Sequence, residues 1–596
     1  MGSYVNAFCV AVVGSLLYLY SPGSRHQDFP VKLNETYDYI IVGSGSSGSV
    51  LAGRLSEKPT NDVLLLEAGG SDEENPHVRV PGEYMMILES ENDWNYPTEP
   101  QKHACFALKQ QAVIWPRGKI LGGSSSANWL TFVRGNRHDY DNWANDGCEG
   151  WSYKDVLPYF RKIEDVQSEG LKDPDYRGVG GPVPITQPNT TPMQALYLKA
   201  GQDLGYNVVD CNGADQIGFS WIQSNIKNGE RWNNYRAFVK PHINRPNLHV
   251  SPNSFTTKVL IKNKKAIGIE YIKNGRKKTV LARKEVILSA GSVNSPQLLM
   301  LSGIGPKEHL EKLGIPVEAD LPVGENLEDH ALIPLTFPIN ITGPITLASL
   351  TSWWTRLQYS VLRTGYMSAT LAEGLAFLYN DSNLKSDAGR SSDIQIHFHS
   401  AHIFPPSMKG IVKFNYRDEV DDKIFTLRED VMSTTFYPIL LHPKSKGTIR
   451  LKSTDPFDYP EIDPHYLEHP DDVKTLISGI RIVEKLVETK TMQSIGMDVN
   501  FKSPFYHLCS QHEFRSDSFW ECYIRQYTLT CFHPTSTCRM GARDDPTAVV
   551  DTKLRVKGIS GLRVVDASVM RSVPAGNTNG PATMIGEKAA DIILNE

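Results

Sequence analysis

Metal-binding cysteine patterns, runs of like charge and internal repeats are all missing from this 596-residue chain, and each gap removes a class of protein. Eight cysteines are too few for a disulfide scaffold. Neither C-x-x-C nor H-E-x-x-H occurs, so no metal site is expected. The formal charge of -5 comes without a basic stretch that could concentrate a polyanion, so no nucleic-acid partner is expected. Apart from one N-terminal run, no apolar segment approaches the roughly 20 residues that a membrane-spanning helix needs.

The length exceeds what one hydrophobic core usually serves, which predicts at least two lobes. Residues 1–23 form a signal-like segment, in which the apolar run from Val5 to Tyr20 ends at Ser21, Pro22 and Gly23. No Lys or Arg precedes that run, a departure from the usual basic start of a signal peptide, and a buried or interfacial N-terminal helix is the alternative. Sequons at Asn34, Asn189, Asn340 and Asn380 agree with a secreted or extracellular protein if they lie on the surface. Membrane contact is then expected at most through the N-terminal segment. Cys509, Cys522, Cys531 and Cys538 cluster near the C-terminus and could contain one bridge or remain buried thiols.

Asp38 to Val42 reads as a strand buried on both faces and runs into Gly43-Ser44-Gly45-Ser46-Ser47-Gly48. In this context a G-x-G-x-x-G turn lets backbone approach a pyrophosphate and starts a helix whose free N–H groups favour anions. A second strand, Asp62 to Leu66, ends at Glu67-Ala68. Glu67 lies nineteen residues past Gly48, where its carboxylate suits a ribose hydroxyl and repels a 2′-phosphate. FAD or NAD is therefore expected rather than NADP.

Three further segments resemble the glucose-methanol-choline oxidoreductase family over nearly the whole chain. The first is WPRGKILGGSSSANWLTFVRG at 115–135, the second AGSVNSPQLLMLSGIGP at 290–306, and the third runs from HPTSTCRMG at 533–541 through GLRVVDASVM to PAGNTNGPATMIGEKAADII. The resemblance implies FAD, with Arg117, Gly122, Gly123, Ser124 and Asn128 along the flavin. It places Val259 at the adenine through a backbone group, and Ala290 and Gly291 over the nucleotide half. Asp566 and Ala567 are implied near the pyrophosphate and ribityl chain, and Asn579 to Thr583 beneath the ring system. Ala127 stands where some members carry a histidine bonded to the flavin, so the FAD is expected to be non-covalent.

Oxidising an alcohol by hydride transfer needs a base for the hydroxyl proton. By resemblance that base is His533, an imidazole mostly neutral near pH 7, and its partner is Asn577, whose amide can hold the substrate oxygen. Asn579 is two residues away and equally polar, and His442 is read as structural.

The expected fold is α/β and α+β, a Rossmann-like FAD lobe with a substrate lobe built on an antiparallel sheet. Residues 36–330 carry most of the FAD lobe and part of the substrate lobe, 331–534 are mainly substrate lobe, and 535–596 return to the FAD lobe. Strands are expected at 425–441 and 447–451, with a substrate mouth or membrane-facing rim in the aromatic-rich stretch 340–420, around Trp353, Trp354 and Tyr359. The implied activity is oxidation of a sugar or small alcohol by a dehydrogenase passing electrons to quinone or another acceptor. The alternatives are an oxidase using oxygen and, from other classes, a hydroxynitrile-type lyase or a non-catalytic flavoprotein.

Overall fold

The computed structural model describes residue 29 and residues 33–188, 191–341, 345–402, 404–410, 414–428 and 430–596. The signal-like segment and the sequon at Asn189 lie outside the described residues. Asn34, Asn340 and Asn380 are exposed.

Two sheets organise the molecule. Strand Thr36–Val42 pairs in parallel with Val63–Leu66 on one side and with Arg276–Leu288 on the other, and Leu248–Ser251 adds outside Val63–Leu66. Ile40, Ile41, Val63, Leu64 and Leu65 are fully buried, the pattern of parallel strands covered on both faces. Beyond Arg276–Leu288 the sheet turns antiparallel through Lys265–Lys273 and Phe255–Lys262. Strand Leu562–Val564 returns from the far end of the chain to pair in parallel with Val286 to Leu288.

The glycine turn after the first strand lies tight against its helix, Ser46–Leu55. A Cβ added at Gly48 would stand 1.9 Å from the Gly43 carbonyl oxygen, so no side chain fits there. The same helix packs against the last one, Asn579–Leu594. Ser47 Oγ donates to the Ala582 carbonyl at 2.6 Å, and Ser46 Oγ donates to Asn579 Oδ1 at 2.7 Å. The two ends of the chain are thereby closed onto one another.

The second sheet is antiparallel, in the order Leu529–Thr530, Ala331–Leu332, Ser433–Leu440, Ile394–His399, Ala372–Leu378, Gly218–Trp221, with Leu335–Pro338 also on Ser433–Leu440. Helix Pro470–Val487 covers it, its Gly479 lying against Pro438 and Ile394. Two sequence expectations need correction. The strand expected over 425–441 is confined to Ser433–Leu440, because Asp418–Ile424 is helical and Phe425 closes that helix. The 447–451 segment forms strand Thr448–Arg450, which pairs with Glu461–Asp463 instead of the large sheet. Gly447 exchanges both backbone hydrogen bonds with Leu327, drawing the segment aside.

Of the clustered cysteines, Cys509 and Cys522 form a disulfide, and Cys531 and Cys538 are buried thiols. In the 340–420 stretch Trp353 and Trp354 are exposed, whereas Tyr359 is buried beside Val80 and Met367.

Gly48→Ala is expected to lower stability by about 1–3 kcal/mol, the usual cost of forcing a group into a packed space. Thermal unfolding checks this, and an unchanged Tm would contradict the tight turn.

Candidate active site

A cleft of about 1720 Å³, its open mouth included, opens beside the first sheet, where Val42, Leu66, Phe255 and Thr256 line it. Its walls carry Gly43, Gly45, Ser46, Ser47, Glu67, Ala68, Arg117, Gly123, Ser124, Asn128, Ala290, Gly291, Asp566 and Ala567, together with His533, Asn577 and Asn579. Segments more than 500 residues apart thus meet on one surface.

Five expected residues lie behind the wall. Ser44 donates through its backbone N and its Oγ to Glu67 Oε2, both at 2.9 Å, and Gly122 N–H donates to the Ser44 carbonyl. Gly48 is the helix contact described above. Thr583 Oγ1 donates to the Asn579 carbonyl at 2.7 Å and accepts from Asn234 Nδ2 at 2.8 Å. Val259 departs most from expectation. It is fully buried in mid-strand, and its N–H is spent on Ser302 Oγ at 2.9 Å, so the cleft reaches only the residues Ser254 to Thr256 at the start of that strand.

The wall fits a dinucleotide. Helices Ser46–Leu55, Gly291–Leu301 and Asn579–Leu594 all begin on it, and none receives a hydrogen bond from its own N-cap side chain. Helix starts and their aligned peptide dipoles attract anions, and at Gly291–Leu301 the first N–H is already held by the Asp566 carboxylate. A Cβ added at Gly291 would meet no protein atom within 4 Å, and one at Gly45 only a carbonyl oxygen at 4.0 Å, so side chains there would fill the cleft itself. Glu67 also accepts from Gly69 N–H at 3.0 Å, and burial raises its pKa.

Asp566 is occupied as a brace. Its Oδ2 accepts from Gly291 N–H at 2.9 Å and Ser295 Oγ at 2.6 Å, and its Oδ1 accepts from Ser568. Asn128 Oδ1 accepts from Leu130 N–H and from buried Arg231 Nη1 at 2.8 Å, leaving its NH₂ for the cleft.

At the other end of the cleft, the chain is clamped around His533. Phe532 has a φ of 64°, a sterically costly value for a non-glycine residue, and such residues concentrate where neighbours fix a functional geometry. Its N–H donates to Thr530 Oγ1 and its carbonyl accepts from Arg117 Nη2, both at 2.7 Å. His533 N–H donates to Asp329 Oδ1 at 2.8 Å. The ring of His533 lies between two partners, Asn577 Nδ2 at 3.3 Å from Nε2 and His330 Nδ1 at 2.9 Å from Nδ1. Asn577 Oδ1 accepts from Gln395 Nε2 at 3.4 Å. Burial, then the His330 and His397 imidazoles and the Arg117 guanidinium, hold the His533 pKa well below the usual histidine range.

The sequence reading missed a strip of polar groups on strand Ile394–His399. Its alternation of Ile394, Ile396 and Phe398 with Gln395, His397 and His399 puts three buried polar side chains on one face. Gln395 Oε1 and His399 Nε2 make no hydrogen bond among the described residues, nor does Trp129 Nε1, whose ring meets His399 edge-on at 5.2 Å, while His397 faces Asn577. The period-two pattern was the available signal. His442 is held by Asp139 at 2.9 Å, outside the cleft wall.

The GMC oxidoreductase family matches residues 37–332 and 443–586 of the chain. The chain belongs to that family. A GMC oxidoreductase from Drosophila melanogaster, glucose dehydrogenase (FAD, quinone), is 40% identical over 94% of this chain and 86% of its own length. Alcohol dehydrogenase (acceptor) of Pseudomonas putida is 38% identical over 94% and 96%. Among solved structures, an Aspergillus oryzae formate oxidase variant superposes with a TM-score of 0.82 at 26% identity, covering 95% of this chain and 99% of that one. This GMC oxidoreductase is an FAD-dependent enzyme acting on CH–OH donors.

Glu67→Ala strands the Ser44 and Gly69 donors, each worth about 1–3 kcal/mol when buried without a partner. FAD affinity, titrated by flavin fluorescence on the apoenzyme, is expected to fall at least about tenfold, and unchanged affinity would contradict the role of this carboxylate.

Proposed function

We propose that this enzyme is a dehydrogenase of a sugar or other small alcohol, with His533 as the base, Asn577 as the holder of the substrate oxygen, and a quinone or another acceptor taking the electrons. The observation that carries the reading is the His533–Asn577 pair on the wall of a cleft suited to FAD. When bound, FAD supplies the acceptor for hydride leaving the carbinol carbon. The glycine turn and helix starts bind its phosphates, and the wall segments 117–128, 290–291, 566–567 and 577–579 are assigned to the rest of it. Ala127 lines the cleft with a methyl group that offers no atom for a bond to the flavin, so acid precipitation is expected to release FAD.

His533 Nε2 takes the hydroxyl proton while Asn577 Nδ2–H steadies the developing alkoxide oxygen without titrating. A lowered His533 pKa keeps the base neutral and competent into mildly acid solution. Gln395, whose Nε2 reaches Asn577 Oδ1, and the unpaired His399 Nε2, whose ring meets the cleft residue Trp129, support a substrate bearing several hydroxyls, because buried polar groups without partners favour a ligand that completes them. The name of the Drosophila relative points the same way. Exposed sequons at Asn34, Asn340 and Asn380 support secretion, and among the described residues no helix is long and apolar enough to cross a membrane.

An oxygen-using oxidase is the second reading, favoured by the likeness to formate oxidase. Dye or quinone reduction without matching hydrogen peroxide supports the dehydrogenase, and stoichiometric peroxide supports the oxidase. His533→Ala is expected to lower kcat by about 10²–10⁴-fold with FAD retained. The acid limb of kcat/KM should fall well below pH 6.5, the ordinary histidine value, and a limb at or above that value would contradict the burial of a neutral base.

A further inference from the structure

His330 ends the segment LPVGENLEDH at 321–330, directly before strand Ala331–Leu332. Short strands Ala331–Leu332 and Leu529–Thr530 pair antiparallel, and Cys531 N–H donates to the His330 carbonyl at 2.8 Å. That pairing sets the residue before one strand beside the residues after the other. His330 and His533 meet with ring planes at 86° and their Nδ1 atoms 2.9 Å apart.

The far nitrogen of His330 decides where the protons lie. His330 Nε2 is 3.0 Å from the backbone carbonyl of Leu441, which can only accept, so Nε2 must carry a hydrogen. His330 is fully buried, and neither ring nitrogen meets a carboxylate among the described residues. Burial pushes its pKa down to about 3, so the ring is neutral and its Nδ1 is bare. The 2.9 Å contact then requires His533 Nδ1 to donate, which leaves the lone pair of His533 on Nε2, beside Asn577 and the cleft. Asn577 agrees in sense, since its Oδ1 accepts from Gln395 and its Nδ2 faces His533. Every donor from Gln395 onward points toward the one carbonyl that ends the chain.

We propose that His330 is a positioning residue that sets the tautomer of His533, holding the proton on Nδ1 so that Nε2 is the free base toward the substrate hydroxyl. The proposal rests on reading His533 as the base. His330 does not export the abstracted proton, because its own Nε2–H ends on a backbone carbonyl that cannot be protonated under ordinary conditions. Its contribution is to make one of two nearly equivalent imidazole tautomers dominate before substrate arrives.

The test uses the FAD-loaded enzyme. In His330→Leu, which removes the acceptor, kcat is expected to fall by about 10²-fold or more with KM within a few-fold and FAD content unchanged. His330→Asn, whose Oδ1 can replace the accepting Nδ1, should recover most of that loss. Nitrogen-15 NMR of histidine-labelled wild type should show the His533 ring, identified by its loss in His533→Ala, with protonated Nδ1 and bare Nε2. This readout stands even if His330→Leu fails to fold. Full turnover in His330→Leu, or the opposite tautomer in the wild type, overturns the proposal. A His533→Ala enzyme that keeps its turnover would instead overturn the base assignment, which is a separate failure.

Discussion

The hydrogen bond from Ser47 Oγ to the Ala582 carbonyl, in the close crossing of helix Ser46–Leu55 with helix Asn579–Leu594, is where this molecule closes. The first strand and glycine turn supply one wall of the cleft, and the C-terminal segment supplies the proposed base, its amide partner and a helix start. Neither wall forms a site alone. Gly586 allows the crossing, since a Cβ there would stand 2.8 Å from the Ser47 carbonyl oxygen. The register of the two helices therefore decides whether the glycine-turn backbone and the His533–Asn577 pair face the same cleft.

Around His533 the protein carries an unusual concentration of buried polarity. Each buried polar group costs free energy unless paired, and a fully paired network gives a unique arrangement in return. Asp329 Oδ1 holds the backbone of His533, and the ring of the adjacent His330 holds its imidazole, so one dipeptide fixes both parts of the residue. The strip on Ile394–His399 is the opposite case, with polar atoms buried and unpaired among the described residues. The contrast sets a fixed imidazole, the proposed base, against a strip whose buried polar atoms are left without partners.

Much of this was legible in the sequence because its signals are local. The apolar run at Asp38–Val42, the glycine spacing after it and Glu67 after the next strand follow from strand burial and turn sterics, and Val42, Gly43, Gly45, Ser46, Ser47 and Glu67 reach the cleft wall. At Val259 the place in the chain says nothing about where the N–H goes, and a single serine, Ser302, captures that group. The 447–451 segment has a strand's composition, but its partner was chosen by Gly447 and Leu327, a contact no local pattern reports. His330 carries no local signal, and its proposed role depends on a cross-strand register and a backbone carbonyl more than 100 residues away. The alternation Ile-Gln-Ile-His-Phe-His was readable, and its meaning emerged only once its polar face was seen to turn inward.

In the proposed mechanism an alcohol bound against His533 gives up hydride in this cleft. Anaerobic mixing of the FAD-loaded enzyme with a panel of sugars and small alcohols, each compared with its counterpart deuterated at the carbinol carbon, tests it most directly. The account predicts that a substrate bleaches the flavin absorbance in one turnover and that deuterium slows the bleaching. Turnover with the absorbance intact, as in a lyase using FAD only as a structural element, would contradict it.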